Sequence, residues 1–286
     1  MLDFIFKHLD DAVWLHEYFI KNDKEIWFHE TIFQNQKQYF LTIDLSTISL
    51  ENIQNGLIQF IIQKKRNDWV KEILREYFFY KEEEEQNNIL EIVIEMFNGD
   101  RPELTSIIGG IDEEEMIRRA VFTLLEQYDT VSIDSLAKFR LKEYYEQIIV
   151  YVELAIDEYK MEQEYQVFIQ MLRDYLQNRD AKLEVVRIYF DQHSIFYDEQ
   201  FQEITKNEIS NLLDRRLLTN HPIYIDSVTI APLLSIAPKK IYLYADSFDN
   251  GLIRTLQNIF EERILLENKD QFWQEKKAYL GKAANK

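Results

Sequence analysis

The chain has 286 residues, 46% of them hydrophobic, with 19 Phe and 17 Tyr, enough apolar surface to exclude wholesale disorder. Its formal net charge of −18, from 51 acidic and 33 basic residues, disfavours nucleic acid, whose phosphates are bound by neutralising them with Lys and Arg. The absence of cysteine excludes disulfides, thiolate metal sites, iron–sulfur clusters and thiol nucleophiles.

Residues 2–6 read as a short strand, and Leu9, Ala12, Val13, His16, Phe19 and Ile20 recur at helical spacing. Residues 25–32 and 39–45 are rich in β-branched and aromatic side chains and flank the polar break 34–37, which predicts a hairpin. Ser49 is placed to cap a helix through Leu57, Ile58, Ile61 and Ile62. The opening order is therefore β-α-β-β-α.

From 67 to 178 the period is helical. Gly and Pro number only 6 and 4, so few residues interrupt the long runs. Asn98 and Gly99, with Pro102 close behind, end one helix. Met116, Ile117, Ala120, Val121, Leu124, Leu125 and Tyr128 form the clearest amphipathic stripe, beginning at the acidic run 112–115. Phe139 reads as a core residue of the next helix. Near 180 the period turns to strand, over 183–190 and 194–197. Thr205 and Glu208 stand at capping-box spacing. A strand at 241–244, a helix at 251–260 and a strand at 263–266 predict a β-α-β unit with parallel strands. A short helix from Gln271 is expected to fray from Gly281 onward.

The fold class is thus α+β and predominantly helical. It comprises residues 1–110 as an N-terminal α/β unit with helices, and a second region at 111–286. That region divides into helical 111–178, α/β 179–268 and a tail helix at 269–286. No basic start leads into a long apolar stretch at the N-terminus. No apolar run approaches the ~18–20 residues that cross a bilayer, so the expected address is the cytoplasm, without a membrane span.

The sequence has no phosphate-binding Gly-rich loop, nucleophile elbow or zinc helix, and no cofactor is implied. The histidines His8, His16, His29, His193 and His221 never pair at helical ligand spacing. Asp191 and His193 read as a hairpin turn, so no metal site is expected. Residues 81–126 carry thirteen acids against four bases, −9 of the net charge; they read as a solvated face or as a docking surface for a basic protein partner. The basic pairs at Lys64, Lys65 and Arg66, Arg118 and Arg119, Arg215 and Arg216, Lys239 and Lys240, and Lys276 and Lys277 read as solvated helix or strand ends. Asp246, Ser247 and Asp249 follow a strand; they either cap the next helix or line a ligand site. Arg140 shares a helix face with Tyr144 and Glu143, and an Arg on a packing face needs a carboxylate or carbonyl partner. It reads as a structural ion pair or as an anion-binding or partner-binding group.

The run Phe139, Arg140, Leu141, Lys142, Glu143, Tyr144 resembles the FRLKEY stretch of YtxC-like proteins. Ala155 to Tyr159 with Glu162 to Tyr165, Ala231 to Lys240, and Asn258 to Arg263 resemble further stretches of that family, in the same order. These likenesses run from about residue 110 to 267, and none is visible before them. The resemblance implies a sporulation protein of endospore-forming bacteria and carries over no catalytic residue. Two functions follow as expectations. One is a non-enzymatic interaction or regulatory protein. The other is a small-molecule-binding protein or enzyme with a site between the helical layer and the C-terminal sheet, drawing on Arg140, Lys142, Glu143, Asp157 and Asp246.

Overall fold

A computed structural model describes residues 1–20, 26–33, 36–177, 179–191, 193–213 and 228–283, so Arg215, Arg216 and His221 lie outside the described residues. The chain forms two compact units, Met1–Glu162 and Gln163–Lys286. The fold is α+β and predominantly helical, with one small mixed sheet in each unit.

The first unit opens in the order that the sequence predicts. β1 (Leu2–Phe6) alternates, and Leu2, Phe4 and Phe6 enter the core. α1 (Leu9–Ile20) follows, then the antiparallel hairpin of β2 (Ile26–Phe33) and β3 (Gln36–Ile43). β3 returns along β1, setting Phe4 opposite Leu41. β4 (Thr130–Ser132) joins the other side of β1 in parallel, with Val131 opposite Phe4, giving the order β2-β3-β1-β4. This strand corrects the purely helical reading of 67–178: three residues are too few to leave a period, and only the distant partner β1 defines them.

α2 (Leu50–Phe60) starts where predicted, Ser49 Oγ accepting from the Asn52 N–H at 3.3 Å. It passes close to α1 at Gly56, where a Cβ would fall 2.5 Å from Phe19 Cζ. A π-helical turn, Ile61–Lys65, then leads into α3 (Arg66–Glu76). α4 (Glu83–Asn98) ends on Gly99 at φ 81°, and α5 (Pro102–Ile108) begins with its proline. Asp112 caps α6 (Glu113–Gln127), accepting from the Glu115 N–H at 3.0 Å. The single turn α7 (Ile133–Ser135) and a second π turn, Leu136–Arg140, precede α8 (Lys142–Gln177).

That second π turn overturns the core reading of Phe139. A π turn holds an extra residue and so shifts the phase of the side chains. Leu136 and Leu141 take the inward positions, and Phe139 is 70% exposed.

In the second unit α8 supplies Phe168, Ile169, Leu172 and Leu176 to a separate core. β5 (Val185–Phe190) and β6 (Ser194–Tyr197) form the predicted hairpin. α9 (Lys206–Leu212) carries the predicted capping box of Thr205 and Glu208. α10 (Ile230–Ile236) is buried throughout; with apolar residues on every side it has no period to detect. β7 (Lys240–Tyr244), α11 (Gly251–Phe260) and β8 (Ile264–Glu267) make the expected β-α-β unit, and the sheet order is β6-β5-β7-β8, with β5, β7 and β8 parallel. Asn250, not Asp246 or Asp249, caps α11.

α12 (Lys269–Ala283) forms the tail helix and continues through Gly281, where the sequence suggests fraying. Its anchor is Phe272, fully buried against Tyr189, Tyr197, Phe201 and Tyr244, while the Tyr244 hydroxyl donates to Glu275 Oε2 at 2.7 Å. No helix among the described residues is long and apolar enough to cross a membrane.

Candidate binding site around residues 136–146

The site rests on a buried polar cluster. Arg66, the first residue of α3, is 5% exposed. Its Nη1 donates to Glu113 Oε1 at 3.1 Å and Oε2 at 2.8 Å, and the Tyr144 hydroxyl donates to the same carboxylate. The Phe97 ring lies 5.0 Å from the guanidinium carbon. Burial pushes the Tyr144 phenol well above its ordinary range, and the Glu113 charge pushes it further. Arg66 is therefore no solvated member of a basic pair, and Glu113 is withdrawn from the acidic surface. One signal was available: Glu113 falls in phase with Ile117, Val121 and Leu124 on the buried stripe of α6.

Leu141 and Tyr144 are both buried and fix the segment that joins the second π turn to α8. Its other side chains divide between pockets. Arg140 and Glu143 meet at a pocket of about 460 Å³, with Asp112, Glu115, Arg119 and Tyr144. There Arg119 Nε donates to Glu115 Oε1 at 2.7 Å, and that bond, with Glu115, Asp112 and Glu143 nearby, raises the Arg119 pKa. Arg140 also borders a pocket of about 500 Å³ beside β4, with Tyr128 and Phe139.

Lys142 turns instead to a pocket of about 460 Å³ shared with Lys65, Trp69, Glu72, Tyr77, Lys138 and Tyr145. Burial, then Glu72 and Tyr77, push the Tyr145 phenol up to about 12, so it stays a neutral hydrogen-bonding group. Asp157 is exposed on α8 and lines none of these three pockets; its charge contributes to a raised Tyr80 pKa, behind burial, Glu85 and Tyr159.

Asp246 belongs to the second unit, where Lys269 Nζ donates to Asp191 Oδ1 at 2.6 Å and lies 2.7 Å from Asp246 Oδ2. Both carboxylates follow parallel strands, β5 and β7, and together they raise the Lys269 pKa. Asp191 and His193 form the predicted turn, the Asp191 N–H donating to the His193 carbonyl at 3.3 Å. Among the described residues no three His, Asp or Glu side chains are grouped to hold a metal.

The charges of residues 81–126 separate into two sets. Arg101 contacts Glu95, Glu158 and Glu162, while Arg118 and Arg119 pair with Glu114 and Glu115 one turn back. Glu82, Glu83, Glu84 and Glu91, on and just before α4, are exposed and have no ion-pair partner among the described residues.

The sequence profile of the YtxC-like family matches residues 51–265, beginning at α2 and so taking in helices where no motif was visible. Over 208 residues the chain is 34% identical to a Bacillus subtilis (strain 168) protein named Uncharacterized protein YtxC, which spans 73% of each chain. No solved structure matches the chain.

Proposed function

The chain belongs to the YtxC-like family, and we propose that it is a non-enzymatic binding or regulatory protein of the cytoplasm of sporulating cells, taking a basic partner on its acidic first unit. The family resemblance supports the sporulation setting. The observation that carries the binding role is the division of charge just described. Every Arg of the acidic segment is matched internally, and the carboxylates at Glu82, Glu83, Glu84 and Glu91 are left facing solvent. Three of the four sit at the start of α4, where the helix dipole offsets their mutual repulsion. Such a row presents a field to an incoming cation and speeds its encounter.

The test is fluorescence anisotropy of a labelled oligolysine peptide against the full chain at low and high salt. Saturable binding at low salt is expected, weakened at high salt and in a variant carrying Glu82→Gln, Glu83→Gln, Glu84→Gln and Glu91→Gln together. No binding at low salt, or binding that ignores the four substitutions, sinks the reading. The pockets around Arg140, Lys142 and Glu143 favour a second reading, a small-molecule-binding protein or enzyme.

A further inference from the structure

The geometry points to a nucleoside monophosphate site in the pocket bordered by Lys138, Lys142 and Tyr145, separate from the acidic row on α4. Both π turns of the first unit reach this pocket: Lys65 closes one of them, and Ala137 and Lys138 lie in the other. π turns are rare, re-aim side chains and recur at functional sites. Two that reach one pocket make an accident of packing a poor account of its shape.

The charges are unevenly matched. Lys65 is 14% exposed and already holds Asp11 at 2.9 Å, with Asp68 at 3.8 Å. Asp134 has Lys7 at 3.7 Å. Among the described residues Lys142 has only Glu146 in ion-pair range, 3.5 Å away on its own helix and exposed. Lys138 has no carboxylate in ion-pair range among the described residues, its ammonium standing 5.7 Å from the Phe139 ring. Among the described residues Glu72 has no cation in ion-pair range either, and its charge is felt by Tyr145. The pocket therefore offers two lysines able to take an anionic group and one carboxylate able to accept N–H donors. Trp69, Tyr77 and Tyr145 add aromatic surface for a planar ring.

A nucleoside monophosphate supplies all three features: a phosphate, a flat base and base N–H groups. The chain's −18 charge opposes a long polyanion but tolerates one phosphate, which separates a mononucleotide from a strand. A guanine offers a carboxylate two adjacent N–H donors and an adenine a single amino group, so GMP should bind more tightly than AMP.

Isothermal titration of the full chain with GMP, AMP, guanosine and inorganic phosphate tests this. GMP should saturate one site, with guanosine and phosphate each at least about tenfold weaker. Lys138→Ala with Lys142→Ala should weaken GMP about tenfold or more, and Glu72→Gln should bring GMP and AMP together. Unchanged thermal unfolding would show that these exposed substitutions leave the fold intact. The proposal is overturned by no saturation with either nucleotide, by phosphate binding as tightly as GMP, by indifference to the lysine substitutions, or by a short single-stranded oligonucleotide outcompeting GMP.

Discussion

Among the described residues each unit holds one arginine whose Nε is buried without a hydrogen-bond partner, and the two are neutralised differently. Arg66 in the first unit faces a full counter-charge, Glu113, which a tyrosine hydroxyl also binds. Arg187 in the second unit has no carboxylate in ion-pair range among the described residues. Its Nη1 donates to the carbonyls of Asp198 at 3.2 Å and Glu199 at 3.3 Å, and its guanidinium lies 4.1 Å from the Phe201 ring and 5.2 Å from that of Tyr242. The difference concerns what happens when a partner is lost. Carbonyls and rings belong to several residues and are removed only piecemeal. A single carboxylate can be deleted at a stroke, leaving a charge stranded in a low-dielectric core.

The largest effect should come from that deletion. Glu113→Leu with Arg66 retained is expected to cost the first unit about 3–5 kcal/mol in urea unfolding. Replacing the whole cluster, Arg66→Met with Glu113→Leu and Tyr144→Phe, should recover most of it, because no buried polar group is then left alone. Arg187→Met should cost less, about 1–3 kcal/mol, since the freed carbonyls flank an exposed turn that water can reach. Hydrogen exchange resolved by segment should confine each loss to its own unit. Equal losses, or a triple variant as weak as Glu113→Leu, would break the contrast.

A smaller effect is shared by the two units at high pH. A phenol is neutral when protonated, so a folded pKa above 10.0 favours the fold below about pH 10, and that stability is lost as the pH climbs through the folded value. Tyr145, raised to about 12, and Tyr144, raised further, place this loss above pH 10 in the first unit. In the second unit Tyr244 is also raised, by burial and by Glu275, with Arg187 working against the shift. Tyr145→Phe should flatten the alkaline limb of the first unit by about 1 kcal/mol after solvent screening. An unchanged limb would mean that the phenol is as hydrated in the fold as out of it.

How much of this was legible follows from the range of each signal. The β2–β3 hairpin, the Ser49 cap, the Thr205 box and the β7-α11-β8 unit rest on neighbouring residues, and inspection finds them. β4 and α10 have too little pattern of their own, and both π turns break the period by which helices are recognised. The site behaves likewise. Arg140 and Glu143 share a pocket because they are three apart, whereas Arg66 and Glu113 are 47 residues apart and meet only in the fold. The acidic string 112–115 gave three of its members to solvent or capping and one to the core; only phase with Ile117 distinguishes Glu113.

The smallest expected effects lie at the helix caps, and they carry the contrast down to single hydrogen bonds. Ser49 in the first unit offers a neutral hydroxyl to one N–H, at 3.3 Å. In the second unit Thr205 accepts from the Glu208 N–H at 3.4 Å, and Glu208 Oε2 accepts in return from the Thr205 N–H at 2.8 Å. Ser49→Ala and Thr205→Ala should each cost about 1 kcal/mol near neutral pH. Only the second cap should respond to acid. The two bonds from Thr205 hold the Glu208 carboxyl below its ordinary 4.5. Its contribution is therefore complete above that value and is lost as the pH falls through the lower, folded one. Glu208→Gln keeps the shape but removes the titration, so the variant's acid limb in urea unfolding should be flatter than wild type. If Ser49→Ala and Glu208→Gln altered the acid limb alike, the cap in the second unit would owe nothing to charge.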